Sequence, residues 1–316
     1  MRKLVPYLLR AVGLVLILIG LVAAYYGPLE IFVFYFFSEG GRFHYDGFGM
    51  GSLWLAALVV QNLGYYVIAA LCLPLGIGHV KLRRWALTLT QLTLCFWLGT
   101  GLLLLGEAMA LLPSVLRLDL SRDIVLSRLL PLGAALLISL GLLPALALVF
   151  YRSEAVKTAF EARDPHRYWT ERVPFPVLAL LLLLVILIGA LHLTIFLQGL
   201  FPVFGHFLLG RPSAYIISLC ILVLCALIYG IARLKKWAWW GALGFIALLA
   251  ISTTLSFSRY SFHDMIVLLN PPTYELELLD KLAIFYDHSL VGLLAVPLGL
   301  TLGLIVHSRR YFWNKP

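Results

Sequence analysis

The chain has 316 residues, of which 62% are hydrophobic and only 12% charged, and a formal net charge of +9. A soluble domain carries about 25% charged residues, so this composition excludes a water-soluble globular protein and calls for lipid to cover the apolar surface. The positive charge does not indicate a nucleic-acid partner, because the basic residues fall in short clusters beside apolar runs, the pattern that orients membrane proteins.

A membrane span takes about 20 mainly apolar residues. Eight stretches qualify: 8–29, 53–77, 85–112, 129–150, 176–200, 213–232, 237–257 and 288–307. The first follows MRKLVPYLLR and contains Val22-Ala23-Ala24, which resembles a signal peptide with its cleavage site. The apolar run resumes directly after Glu30, so an uncleaved helix is expected, broken at Gly27-Pro28 or projecting past the hydrocarbon through IFVFYFF. GRFHYDGFGMGS, residues 41–52, then leads to the second span. It lacks the lysine of a phosphate-binding loop and has no strand before it, so its glycines read as turn formers.

Between the fourth and fifth spans, SEAVKTAFEARDPHRYWTERVP begins as a short amphipathic helix ended by Asp164-Pro165, and is expected to lie at the lipid headgroups. The fifth span runs on into FPVFGHFLL, expected to project or to break near Pro202. Before the last span come FHDMIVLL, an Asn270-Pro271-Pro272 turn, and YELELLDKLAIFYD, whose Leu278, Leu279, Leu282 and Phe285 form a helical stripe expected to cap the outer surface.

The basic residues set the orientation. With the N-terminus inside, the inner segments hold 17 of 24 basic and 4 of 15 acidic residues, and the rest of the chain 7 basic and 11 acidic, or +13 against −4. Trp85, Trp169, Trp237, Trp239, Trp240 and Trp313 stand at the same inner boundary, as an aromatic belt does. Both termini are therefore expected in the cytoplasm of a cell bounded by this plasma membrane.

KLRRWA at 81–86 returns as RLKKWA at 233–238, an offset of 152. At an offset of 169, Gly20 meets Gly189 and Gly41-Arg42 meets Gly210-Arg211. The fold class expected is an all-α, polytopic membrane protein of eight helices with a four-plus-four duplication in one orientation. The first repeat covers 1–150, a cytoplasmic amphipathic connector 151–175, and the second repeat 176–316.

Two polar constellations are candidates for function. Glu30, Glu107 and His192 lie in the outer halves of odd spans and, bounded by Arg42 and Arg211, define a candidate outward-facing polar pocket. On the outer side, His44, Asp46, His206, His263, Asp264, Asp287 and His288 supply imidazole and carboxylate, the groups of metal ligation and of acid–base catalysis. Their spacing matches no metal motif. Cys72, Cys95, Cys220 and Cys225 all lie inside apolar runs with no CxxC, and only His192 lies well inside a span, so no metal, haem or other cofactor is expected. Gly299 and Gly303 form a GxxxG suited to a homo-oligomer or membrane-protein partner. The leading expectation is a non-enzymatic transporter or small-molecule-binding protein. A scaffold subunit of a membrane complex and an outer-face His/Asp hydrolase or transferase are the alternatives.

Overall fold

The computed structural model describes residues 4–37, 53–116, 125–271, 273, 276–277 and 290–313. Arg42, His44, Asp46, Asp287, His288 and the stripe from Leu278 to Phe285 lie outside the described residues.

The chain opens with three long helices, α1 (Val5–Phe37), α2 (Leu53–Val80) and α3 (Arg84–Leu116). α1 continues through Pro28 without breaking. A fourth helical run consists of a π-helical turn at Val125–Leu129, α4 (Leu130–Leu136), a second π-helical segment at Leu137–Leu142, and α5 (Leu143–Tyr151). Pro131 and Pro144 stand in the first turns of α4 and α5. A proline inside a helix lacks an N–H and crowds the carbonyl four residues back. Widening the preceding turn by one residue accommodates that clash. Next come α6 (Glu154–Arg163), the short α7 (Trp169–Arg172), α8 (Phe175–Leu193) and a 3-10 turn at Thr194–Leu197. An antiparallel hairpin of β1 (Phe201–Val203) and β2 (His206–Leu208) pairs Phe201 with Leu208 and Val203 with His206. α9 (Gly210–Ala232), α10 (Lys236–Arg259), α11 (Phe262–Leu269) and α12 (Leu290–Trp313) complete the chain.

The protein is thus mainly helical, and seven helices among the described residues are long and apolar enough to cross a membrane. They coincide with the first seven stretches expected. The eighth overlaps α12, whose last turns carry His307, Arg309 and Arg310.

The chain divides into two compact units. The first holds α1, most of α2 and α3, and everything through α7. The second holds α8 to α12, together with the first turn of α2 and the part of α3 from Gly106. In the second unit Val177, Leu180 and Leu184 of α8, Ile217, Leu224 and Ile231 of α9, Ala242 and Ile246 of α10, and Ile305 and Phe312 of α12 form one buried core. Their three-, four- and seven-residue spacings are those of helices packing along a stripe. In the first unit, α6 does more than float at a surface. Val156 and Phe160, four residues apart, are both fully buried, in a cluster with Leu9, Leu82, Ala86 and Tyr151.

The two KLRRWA-type turns have one geometry. Leu82 and Leu234 take positive φ, 50° and 52°. Arg83 N–H bonds Gly78 O at 2.7 Å and Lys235 N–H bonds Gly230 O at 2.9 Å, while Leu82 N–H bonds His79 O and Leu234 N–H bonds Ile231 O. This pair of bonds closes a helix C-terminus, a task usually given to glycine because it takes positive φ freely. Leucine accepts the strain here because Leu82 is buried and Leu234 packs on the second core. Glycine is needed one turn earlier. A Cβ on Gly78 would come within 2.5 Å of Ala86 Cβ, and one on Gly230 would collide with Ala238 Cβ. We expect Gly78→Ala and Gly230→Ala each to cost about 1–3 kcal/mol through overpacking, measurable as matched drops in the thermal unfolding midpoint in detergent. Equal stability to wild type in both variants would show that the turns relax.

Candidate functional site

In the first unit, Glu30 on α1 meets α2. Gln61 Nε2 donates to Glu30 Oε1 at 2.8 Å and Tyr65 Oη donates to the same oxygen at 3.1 Å. Asn62 Nδ2 donates to the carbonyl of Gly27 at 2.7 Å. Glu30 Oε2 is buried with no hydrogen-bond partner. Glu30, Gln61 and Tyr65 thus form one hydrogen-bonded group across α1 and α2.

The remaining pocket candidates that the structure describes belong to the second unit. Glu107 lies against α12, with Oε1 2.9 Å from where a Cβ of Gly292 would stand. His192 is exposed, and its Nδ1 donates to Ile188 O at 3.0 Å in its own helix. Arg211 is exposed in the first turn of α9. His206 is exposed on β2 and His263 half-buried on α11. Asp264 Oδ2 accepts from Ser261 N at 2.9 Å, and Ser261 Oγ in turn accepts from Asp264 N, a capping box that starts α11. Among the described residues no group of three or more His, Cys, Asp or Glu is arranged to hold a metal ion.

A cavity of about 480 Å³ lies in the second unit. Leu184, Leu187 and Leu191 of α8, Ile246 and Phe257 of α10, and Leu294 and Leu298 of α12 form its walls, and Phe201, Phe207 and Met265 close one end. Glu107, His192 and Arg211 do not line it. Of the three threonines that line it, two are spent on their own helices: Thr194 Oγ1 donates to Leu191 O and Thr301 Oγ1 to Pro297 O, each at 2.7 Å.

That closed end is the hairpin, and two serines one turn apart on α10 hold it. Phe204 N–H donates to Ser252 Oγ at 3.0 Å, and Ser252 Oγ donates to Pro202 O at 2.8 Å. Gly205 N–H donates to Ser256 Oγ at 3.1 Å, and Ser256 Oγ donates to His206 O at 3.0 Å. Phe204 and Gly205 both take positive φ, 40° and 91°. Such a two-residue turn matches the right-handed twist of a hairpin. Phe207 then stacks edge-on against Phe257 and Tyr260. The Phe-Gly pair in FPVFGHFLL is the visible signal for this hairpin, and Ser252 and Ser256 give none until their partners are placed.

A second, polar cavity of about 210 Å³ lies in the first unit, lined by Arg84, Gln91, Arg152, Lys157, Glu161 and Glu171 among others. Arg84 holds it together. Its guanidinium pairs with Glu171 at 2.7 Å and Glu161 at 3.3 Å. Below it, His79 Nδ1 donates to Leu75 O and Nε2 accepts from Tyr151 Oη, each at 2.7 Å, so the buried imidazole is fully bonded. Asp164 ends α6 beside this network. Burial alone would push its carboxyl up. Hydrogen bonds from Tyr168 Oη at 3.1 Å and from the backbone N–H groups of Arg84 and His166, each at 3.3 Å, together with the Arg83 guanidinium at 3.7 Å, outweigh burial and hold it below the ordinary aspartate value.

No family model, curated protein or solved structure matches this chain.

These contacts have two measurable consequences. Ser256→Ala leaves the Gly205 N–H and the His206 carbonyl without their partner, at a cost of about 1–3 kcal/mol. It should speed hydrogen exchange at Gly205, while exchange along α9 stays as in wild type. Asp164, with its folded value depressed, stabilises the connector above the ordinary carboxyl value of about 3.9, and that contribution disappears as pH falls through the lowered value. Asp164→Asn should therefore open the 154–172 segment to trypsin at neutral pH, whereas wild type becomes comparably susceptible to pepsin only in acid.

Proposed function

We propose that this chain is an eight-span protein of the plasma membrane with both termini in the cytoplasm, and that it binds a small molecule, for transport or transfer, in the hairpin-capped cavity of its second unit. The charge asymmetry of +13 against −4 supports the orientation. On that orientation the hairpin and α11 stand on the outer side, so the cavity occupies the outer half of the unit. A length of 24 residues in α12 supports the eighth span. The shared bonding of the turns at Leu82 and Leu234 supports the duplication.

The observation that carries the functional reading is the cavity itself. Its 480 Å³ falls within the range of about 300–1,000 Å³ for ligand sites. Two of its walls, α8 and α10, are helices long and apolar enough to span a membrane, which supports a position at hydrocarbon depth. Leucine, isoleucine and phenylalanine walls, with the threonines at the end of α8 and on α12 bonded to their own backbone, suit a ligand portion with no polar groups. The occupant is one acyl chain of a membrane lipid, with its headgroup toward the outer surface. Neither the scaffold nor the hydrolase reading has a comparable observation among the described residues.

Cross-linking tests it. A phospholipid with a photoactivatable group on its acyl chain, added to the purified full chain, should label peptides of α8, α10 and α12. Ala190→Trp and Leu298→Trp, which fill the cavity, should each lower that labelling about tenfold, equivalent to about 1.4 kcal/mol of binding. Labelling that is undiminished in both filled variants would overturn the assignment.

A further inference from the structure

The polar cavity of the first unit is independent of the acyl-chain site. Its depth is set by its own residues. Arg84 is the first residue of the Arg84–Ala110 span and Arg152 directly follows the Ser127–Tyr151 span, so both guanidinium groups stand where hydrocarbon gives way to headgroups. Its charge is divided. Arg84 is neutralised by Glu161 and Glu171, at 3.3 and 2.7 Å. Among the described residues Arg152 has no carboxylate partner and instead lies beside the Cys95 thiol. Lys157 has only Glu154, at 3.7 Å on the exposed face of α6. Two cations therefore face the cavity with little or no neutralisation. On the other side, Glu171 Oε1 is buried and has no hydrogen-bond partner, while its second oxygen serves Arg84. A buried carboxylate oxygen without a donor is costly, so it calls for a donor from outside the chain.

We propose that this cavity receives the headgroup of a phospholipid that carries both a phosphate and a primary ammonium. The phosphate meets Arg152 and Lys157, and the ammonium donates to Glu171 Oε1. An anionic headgroup without an ammonium satisfies the two cations and leaves Glu171 unpaired, so the site discriminates ethanolamine from glycerol headgroups. Guanidinium suits the phosphate because it offers parallel N–H donors to its oxygens. At about 210 Å³ the space holds a headgroup and excludes the acyl chains, which remain in the bilayer.

The test uses the full chain in detergent, titrated with short-chain phosphatidylethanolamine, short-chain phosphatidylglycerol and inorganic phosphate, with bound lipid counted by native mass spectrometry. Wild type should prefer phosphatidylethanolamine, and inorganic phosphate should compete poorly. Arg152→Gln with Lys157→Gln should weaken both lipids about tenfold. Glu171→Gln should bring phosphatidylethanolamine affinity down to that of phosphatidylglycerol. Because Glu171→Gln also loses a partner of Arg84, it is read as the ratio of the two affinities in protein that keeps its wild-type elution volume. Lys157→Gln alone, at a half-exposed side chain, provides a variant with an intact fold. Equal affinity for the two lipids in wild type, no change in the double variant, or phosphate binding as tight as the lipid would each overturn the headgroup site.

Discussion

Lipid offers no hydrogen bonds, so every polar group carried into the spans has to find its partner within the protein. Much of this structure is arranged around that constraint. Trp239 Nε1 donates to the carbonyl of Ile305 and so ties the first turn of α10 to the last turns of α12. Asn62 reaches across to Gly27, and Gln91 Nε2 donates to the Tyr151 carbonyl at the end of its span. Hydroxyls that have no neighbour across a helix interface bond back to their own helix, as Ser218 does to Ala214 and Thr93 to Leu89. Among the described residues four buried side-chain oxygens lack a partner: the hydroxyls of Thr90 and Thr170, and two carboxylate atoms, Glu30 Oε2 and Glu171 Oε1.

The same constraint explains why the hairpin can exist at all. A chain that leaves helical geometry between two spans exposes N–H and carbonyl groups that need partners wherever water is excluded. Here the two strands satisfy each other, and the residues of the turn are satisfied by Ser252 and Ser256. Gln198 Nε2 similarly takes the carbonyl of Leu269 at the C-terminal end of α11. The hairpin can then present Phe201 and Phe207 to the cavity while the N–H groups of its turn are bonded to α10.

The sequence made the spans legible because hydrocarbon thickness imposes a length and a composition that few soluble segments imitate. It also placed the basic clusters and the paired KLRRWA and RLKKWA turns. What it hid was of two kinds. α6 reads as amphipathic, and amphipathicity alone does not say whether Val156 and Phe160 face lipid or protein. Burial of both beside Leu9 is a tertiary fact. The partners of Glu30 lie 31 and 35 positions away and those of Arg84 77 and 87, and no local pattern links them. Conversely, Asp264, singled out for chemistry because it stands next to His263, serves as a helix cap. A serine three residues before an aspartate is a local signal for a cap, and it is present in the sequence.

The turns at Leu82 and Leu234 place Arg84 and Lys236 at equivalent positions, each opening a long helix. Their surroundings differ. Arg84 is met by the carboxylates of the connector. Lys236 has no such segment beside it and lies over the Trp313 ring at 5.5 Å, with Arg309 on the same ring at 5.3 Å. Trp239 and Trp240 complete that aromatic end through edge contacts with Trp313. A cation over an aromatic face needs no anion and leaves no cavity. A guanidinium held by carboxylates at an interface keeps polar space around it, with one carboxylate oxygen still to be filled. The same turn geometry thus meets an aromatic end in the second unit and a polar cavity in the first. The difference comes from the segment that meets each turn: an acidic connector in the first unit, a tryptophan-bearing helix end in the second.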